Sequence, residues 1–283
     1  EQAMEQAPGD AARQTLVELS VSAPDEVTAA FVQAAVRKGS LGLARAAADL
    51  LMDIKEADSA RSVIRDCLDS SDLSVRQRAV EAIETLDDPG ALDLLTETLS
   101  SEDEGVRRTA INSFGLIVGS KYHALKEPLF ELLEDPRSEL FGATVNSPDV
   151  GLRREIAQVL GFAGSNRVLT LLEELGGDQD NQTRRESVLA LAANGSEAAV
   201  AILKNKLDDA DDVVVASALD AIAAEVGRDS PEMLQALRKA LAHPDVDVRR
   251  HAVLMLDQFP LAQVADLLQK LAADEDFEVE RSA

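Results

Sequence analysis

The sequence predicts an all-α solenoid, a superhelix of about eight to nine two-helix repeats, and three observations carry that prediction. The first is a recurring frame. "SSDLSVRQRAVEAI" (70–83) and "HPDVDVRRHAVLML" (243–256) each place an Asp four positions before an Arg, a Val just before that Arg and an Ala three positions after it. The second is composition: 46% of residues are apolar but only 3% aromatic, with no Trp, so the buried material is small and aliphatic, as in closely packed helices. The third is that most copies of the frame lie 31 residues apart, which leaves room for two helices and short turns, so neighbouring helices run antiparallel.

With Arg76 as anchor, the equivalent positions are Arg13, Ala44, Arg76, Arg107, Arg153, Arg184, Val215, Arg249 and Glu280. Repeats therefore start near 9, 40, 72, 103, 149, 180, 211, 245 and 276, and the prediction is one array over residues 1–283. Positions −1, +3 and +7 from the anchor are apolar or small, as in Val75, Ala79 and Ile83 or Val248, Ala252 and Leu256. A recurrence every four residues forms one buried stripe on a helix, and the small residue at +3 admits a close neighbour. The Asp at −4 is read as an N-cap, accepting a bond from an unpaired N–H at the positive end of the dipole. A second helix follows in each repeat, as in "DDPGALDLLTETLS" and "DSPEMLQALRKALA", with Asp88 or Ser230 as cap and Pro89 or Pro231 in the first turn.

This D-x-x-V-R-x-x-A frame resembles the HEAT-like repeats also found in phycobilisome lyases, most clearly over 72–273. The resemblance implies an interaction scaffold or adaptor, with a chaperone-like or lyase-type factor assisting bilin attachment as the alternative. It also implies a structural ladder between neighbouring repeats, built from Asp72, Arg76, Asp103, Arg107, Asp149, Arg153, Asp180, Arg184, Asp245 and Arg249, and interrupted at Ala44, Val215 and Glu280.

A formal charge of −24 and a pI near 4.4 argue against nucleic acid, whose affinity comes from Lys and Arg, and against an anionic membrane surface. A helical-repeat DNA glycosylase would need a basic, aromatic groove, and neither ingredient is abundant. No apolar run is long enough for a membrane span, and "EQAMEQAPGD" lacks the features of a signal peptide, so a soluble, cytoplasmic protein is expected. The acid-rich, Lys-poor surface suits high salt, although a GC-rich genome also favours Arg over Lys. Cys67, the single cysteine, reads as a small core residue.

Catalytic and metal signals are poor. His123, His243 and His251 stand in unrelated contexts, "DDADD" (208–212) reads as a solvated turn, and no metalloprotease, nucleophile-elbow or phosphate-loop motif occurs. No enzyme, metal or cofactor is expected. The partner sites are therefore sought in the irregularities. The step from Arg107 to Arg153 is 46 residues and includes an inserted loop at about 135–148, where Pro136, Gly142 and Pro148 prevent a continuous helix. Leu140 and Phe141 on that loop either project toward a partner or fold back over the neighbouring repeat. In the second helices, Lys204, Lys206, Arg238, Lys239 and Lys270 recur at matching positions. They form either a basic stripe for an acidic patch on a protein partner, on what the resemblance implies is the concave side, or cations complementing helix C-termini.

Overall fold

The computed structural model describes Val21 and residues 23–86, 88–120, 124–135 and 141–282. The start of the first repeat, with Gly9 and Arg13, lies outside the described residues, as do Leu140 and His123. Every regular element among the described residues is helical. The chain sorts into two compact lobes, Glu1–Glu155 and Ile156–Ala283.

The first lobe contains α1 (Asp25–Lys38), α2 (Leu41–Ala48), α3 (Ala57–Leu68), α4 (Leu73–Ile83), α5 (Leu92–Leu99), α6 (Glu104–Gly119), α7 (Lys126–Glu134) and the single turn α8 (Gly142–Val145). Helix α9 (Val150–Leu160) follows. The second lobe continues with α10 (Asn166–Leu175), α11 (Asn181–Asn194), α12 (Glu197–Asn205), α13 (Asp212–Val226), α14 (Pro231–Ala240), α15 (Val246–Leu254), α16 (Leu261–Leu271) and α17 (Phe277–Ser282). The helices that begin at the −4 position of the frame, called the capped helices below, are α2, α4, α6, α9, α11, α13, α15 and α17; the others are their companions, of which α3, α10, α12 and α14 have side-chain caps of their own.

The predicted stripe is the core. Val75, Ala79 and Ile83, like Val214, Ala218 and Ile222, are fully buried, and Cys67 is buried with its thiol pushed up to about 12 chiefly by loss of solvent. Where the +3 position is polar the site satisfies it: Ser187 donates its hydroxyl to the Leu172 carbonyl at 2.5 Å.

One local expectation is corrected and one open choice is decided. Asp88 does not cap its helix: Pro89–Ala91 form a 3₁₀ turn before α5, and the Asp88 carboxylate pairs with Arg61. Phe141 does not project. It is 1% exposed, with its ring edge-on to Phe114 at 4.9 Å between centroids, and the residue takes a left-handed φ of 73° to enter α8. In a chain with so few aromatics the best use of that ring is against another ring, and burying it outweighs roughly 1–3 kcal/mol of backbone strain.

Candidate partner-binding surface

The −4 acids act as the frame predicts. Asp72, Asp103, Asp180 and Asp211 accept from the N–H of Val75, Val106, Thr183 and Val214, and Asp149 accepts from Gly151 and Leu152. Asp245 caps one residue earlier, through Asp247.

The anchor arginines have a different role from the simple ladder. Each turns back and donates Nη1 to the carbonyl six residues upstream: Arg76 to Ser70, Arg107 to Ser101, Arg153 to Ser147, Arg184 to Asp178 and Arg249 to His243, at 2.5–3.1 Å. The side chain of that −6 residue in turn accepts the N–H of the capping Asp, as Ser70 does for Asp72 and Asp209 for Asp211. The cap, the −6 residue and the arginine together close the turn that starts the helix.

Arginine bridges from the capped helices to the next repeat come from two places. Arg76 reaches Asp103, while Arg184 and Arg249 clamp Asp209 and Asp274 with two donors each. The residue after the anchor supplies the rest: Arg45 holds Asp72, Arg108 holds Asp149 and Arg250 holds Asp276. These +1 arginines were missed in the sequence because they hide beside the anchor column. Asp72 is held below the usual carboxylate range first by Arg45. At Asp209 burial is the largest influence and pushes upward, but Arg184 and the Asp211 N–H together outweigh it.

At Val215 the anchor has no guanidinium, and His243 takes over part of its work. Its Nδ1 accepts the Asp245 N–H at 3.1 Å, so Nε2 carries the proton and donates to the Asp209 carbonyl, also at 3.1 Å. His251 pairs with Asp220 at 3.3 Å. Among the described residues no cluster of three or more His, Cys, Asp or Glu side chains is arranged to hold a metal.

The structure engages most of the basic stripe in pairs with neighbouring repeats, the two ion pairs lying at the surface. Arg238 pairs with Asp266 at 2.9 Å, Lys239 with Asp208 at 2.6 Å, and Lys206 donates to the Gly176 carbonyl at 2.7 Å. Burial lowers the Lys206 pKa. Lys204 is half-buried and Lys270 exposed. In the second lobe, successive capped helices pack closely on one another, whereas their companions barely touch. In a stack of helix pairs the row with the shorter spacing lies on the inside of the bend. The inner row of this lobe is therefore the capped helices, and the stripe on the companions lies on the other side.

The outward positions of the inner row are +5 and +9, which are exposed, and +2, which is half-buried. They change from repeat to repeat: +5 is Gln158, Leu189, Asp220 and Leu254, and +9 runs Phe162, Ala193, Ala224 and Gln258. Among the described residues the exposed aromatic is thus Phe162, 59% accessible, and not Phe141. Its turn is held on both sides. A Cβ on Gly161 would lie 3.1 Å from the Ala190 Cα, and Asn194 donates to the Ala163 carbonyl at 3.4 Å.

Solved structures share this architecture. Importin beta superimposes with a TM-score of 0.66 at 14% identity, covering 99% of this chain and 45% of importin beta. Kap95p, solved in a complex concerned with RanGDP, gives 0.56 at 16% identity, covering 98% of this chain and 43% of its own. An engineered protein gives 0.51 at 21%, covering 96% and 82%. The chain thus spans less than half the length of the two transport proteins. No curated protein matches the sequence. No helix among the described residues is long and apolar enough to cross a membrane. The sequence profile of HEAT repeats matches residues 62–144, 138–223 and 205–283, most of the chain, and so the protein belongs to the HEAT repeat family.

Proposed function

We propose that the protein is a non-enzymatic scaffold that binds another protein across its repeats. One observation carries this reading: the polar chemistry of the frame is consumed in building repeats, while the outward positions of the inner row vary from one repeat to the next. Positions released from structural duty are where a stacked array acquires specificity. The likeness to importin beta, a solenoid of the same architecture, supports it. The bilin-attachment alternative rests on the repeat frame alone, and absorbance after co-expression with a bilin tests it.

The test is reconstitution. A protein retained by the immobilised chain from cells of the source organism is identified by mass spectrometry, purified and rebound at defined stoichiometry. Saturable rebinding is expected, and failure of every retained protein to rebind in purified form overturns the proposal.

A further inference from the structure

Resting on the scaffold reading, we infer that the inner row of the second lobe is a docking face for a basic amphipathic helix of a protein partner. Along this row Phe162, Leu189 and Leu254 are 59%, 46% and 68% exposed, and Ala193 and Ala224 lie between them, also exposed. Exposed large apolar side chains collected on one face mark contact surfaces, and an aromatic fixed by its backbone loses little entropy when covered. Beyond Leu254 the row opens into a crevice of about 330 Å³, lined by Leu256, Phe259, Leu261 and Val264 among others.

Charge selects the occupant. Glu186 and Asp220 border the apolar positions, and neither Lys nor Arg occupies +2, +5 or +9 on α11, α13 or α15. The single imidazole there, His251, already faces Asp220. With a formal charge of −24 over the whole chain, the field at this face attracts cations and repels an acidic segment. Length fits a helix. Phe162 to Leu254 crosses three repeat steps of roughly 10 Å each, close to the ~30 Å of a 20-residue helix whose apolar stripe would meet the row.

The experiment uses three fluorescein-labelled peptides of about 20 residues. One is a helix with a Leu stripe on a Lys/Arg background, the second is its scrambled isomer of equal charge, and the third carries the Leu stripe on a Glu background. In anisotropy titrations near physiological salt, the first should bind at least tenfold more tightly than the other two. The triple variant Phe162→Ser, Leu189→Ser, Leu254→Ser should lose at least tenfold, as should Glu186→Lys with Asp220→Lys. Val27→Ser, an exposed apolar change elsewhere, should leave binding unchanged. All six changed side chains have solvent-accessible area, and circular dichroism confirms that each variant keeps its helix content. Equal binding of the scrambled isomer, no binding of the first peptide, or full binding by the triple variant overturns the inference. A chain that ignores all three peptides yet rebinds a purified partner keeps the scaffold proposal and loses this one; a chain that does neither loses both.

Discussion

At the scale of single residues, the repeat is a device for starting a helix. Asp103 accepts the Val106 N–H at 3.1 Å and Arg76 at 2.5 Å. Asp103→Ala should therefore cost about 1–2 kcal/mol, while Asp103→Asn keeps the cap and costs less than half of that in urea denaturation. Equal losses would mean that charge and not capping matters. His243→Ser tests the compensation at Val215. Serine is what other repeats carry at −6, so the local acceptor survives and only the bridge to the Asp209 carbonyl is lost, at about 1 kcal/mol. A neutral result would show that the bridge contributes nothing. The capping acids were legible because a single residue type recurs. The −6 position was not, because Ser, Asp and His share an acceptor atom and nothing else.

Among the elements, the insertion shows what pattern can and cannot say. Pro136, Gly142 and Pro148 announced a break in helix, and only one short turn, α8, forms there among the described residues. The direction of Phe141 was open, because an apolar residue on a loop has the same sequence signature whether it projects or folds back. Packing against Phe114 decided it. Phe141→Ala should cost about 3 kcal/mol by leaving a cavity, and Phe141→Leu distinctly less. If both fall within experimental error of the parent, the ring is not part of the core. Gly161 sits at a different kind of contact. In Gly161→Ala the new methyl meets Ala190 backbone, so the melting temperature should fall by a few degrees, whereas Gly42→Ala on α2, which meets nothing within 4 Å, should hold or raise it.

Taken as a whole, the molecule joins a large negative charge to a set of ion-paired carboxylates. Asp72, Asp274 and Asp276 titrate below the ordinary range, held there first by Arg45, Arg249 and Arg250. A carboxyl whose folded pKa lies under its unfolded value contributes stability above about pH 4, lost as pH falls through the folded value. Glu155 moves the other way, raised chiefly by burial, and offsets part of this. The urea midpoint should therefore be nearly flat from about pH 8 to pH 5 and drop steeply below about pH 4. A decline centred near pH 6 would implicate histidine instead. Salt gives a second reading. Because 52 acids face 28 bases, screening should relieve more repulsion than it removes from local pairs. Raising NaCl from about 0.05 to 0.5 M should then increase the melting temperature, and a decrease would make the bridges the larger electrostatic contribution.

The sequence alone determined the all-helical repeat, its period, its buried stripe and the caps at its −4 position, because these depend on contacts within one helix turn or between identical neighbours and so recur as a visible frame. Tertiary structure alone decided which arginine bridges to which repeat, that Phe141 is core and Phe162 surface, and which row of helices lies inside the bend of the second lobe. Those outcomes depend on distances between residues about thirty positions apart, and the repeat pattern leaves such distances unspecified.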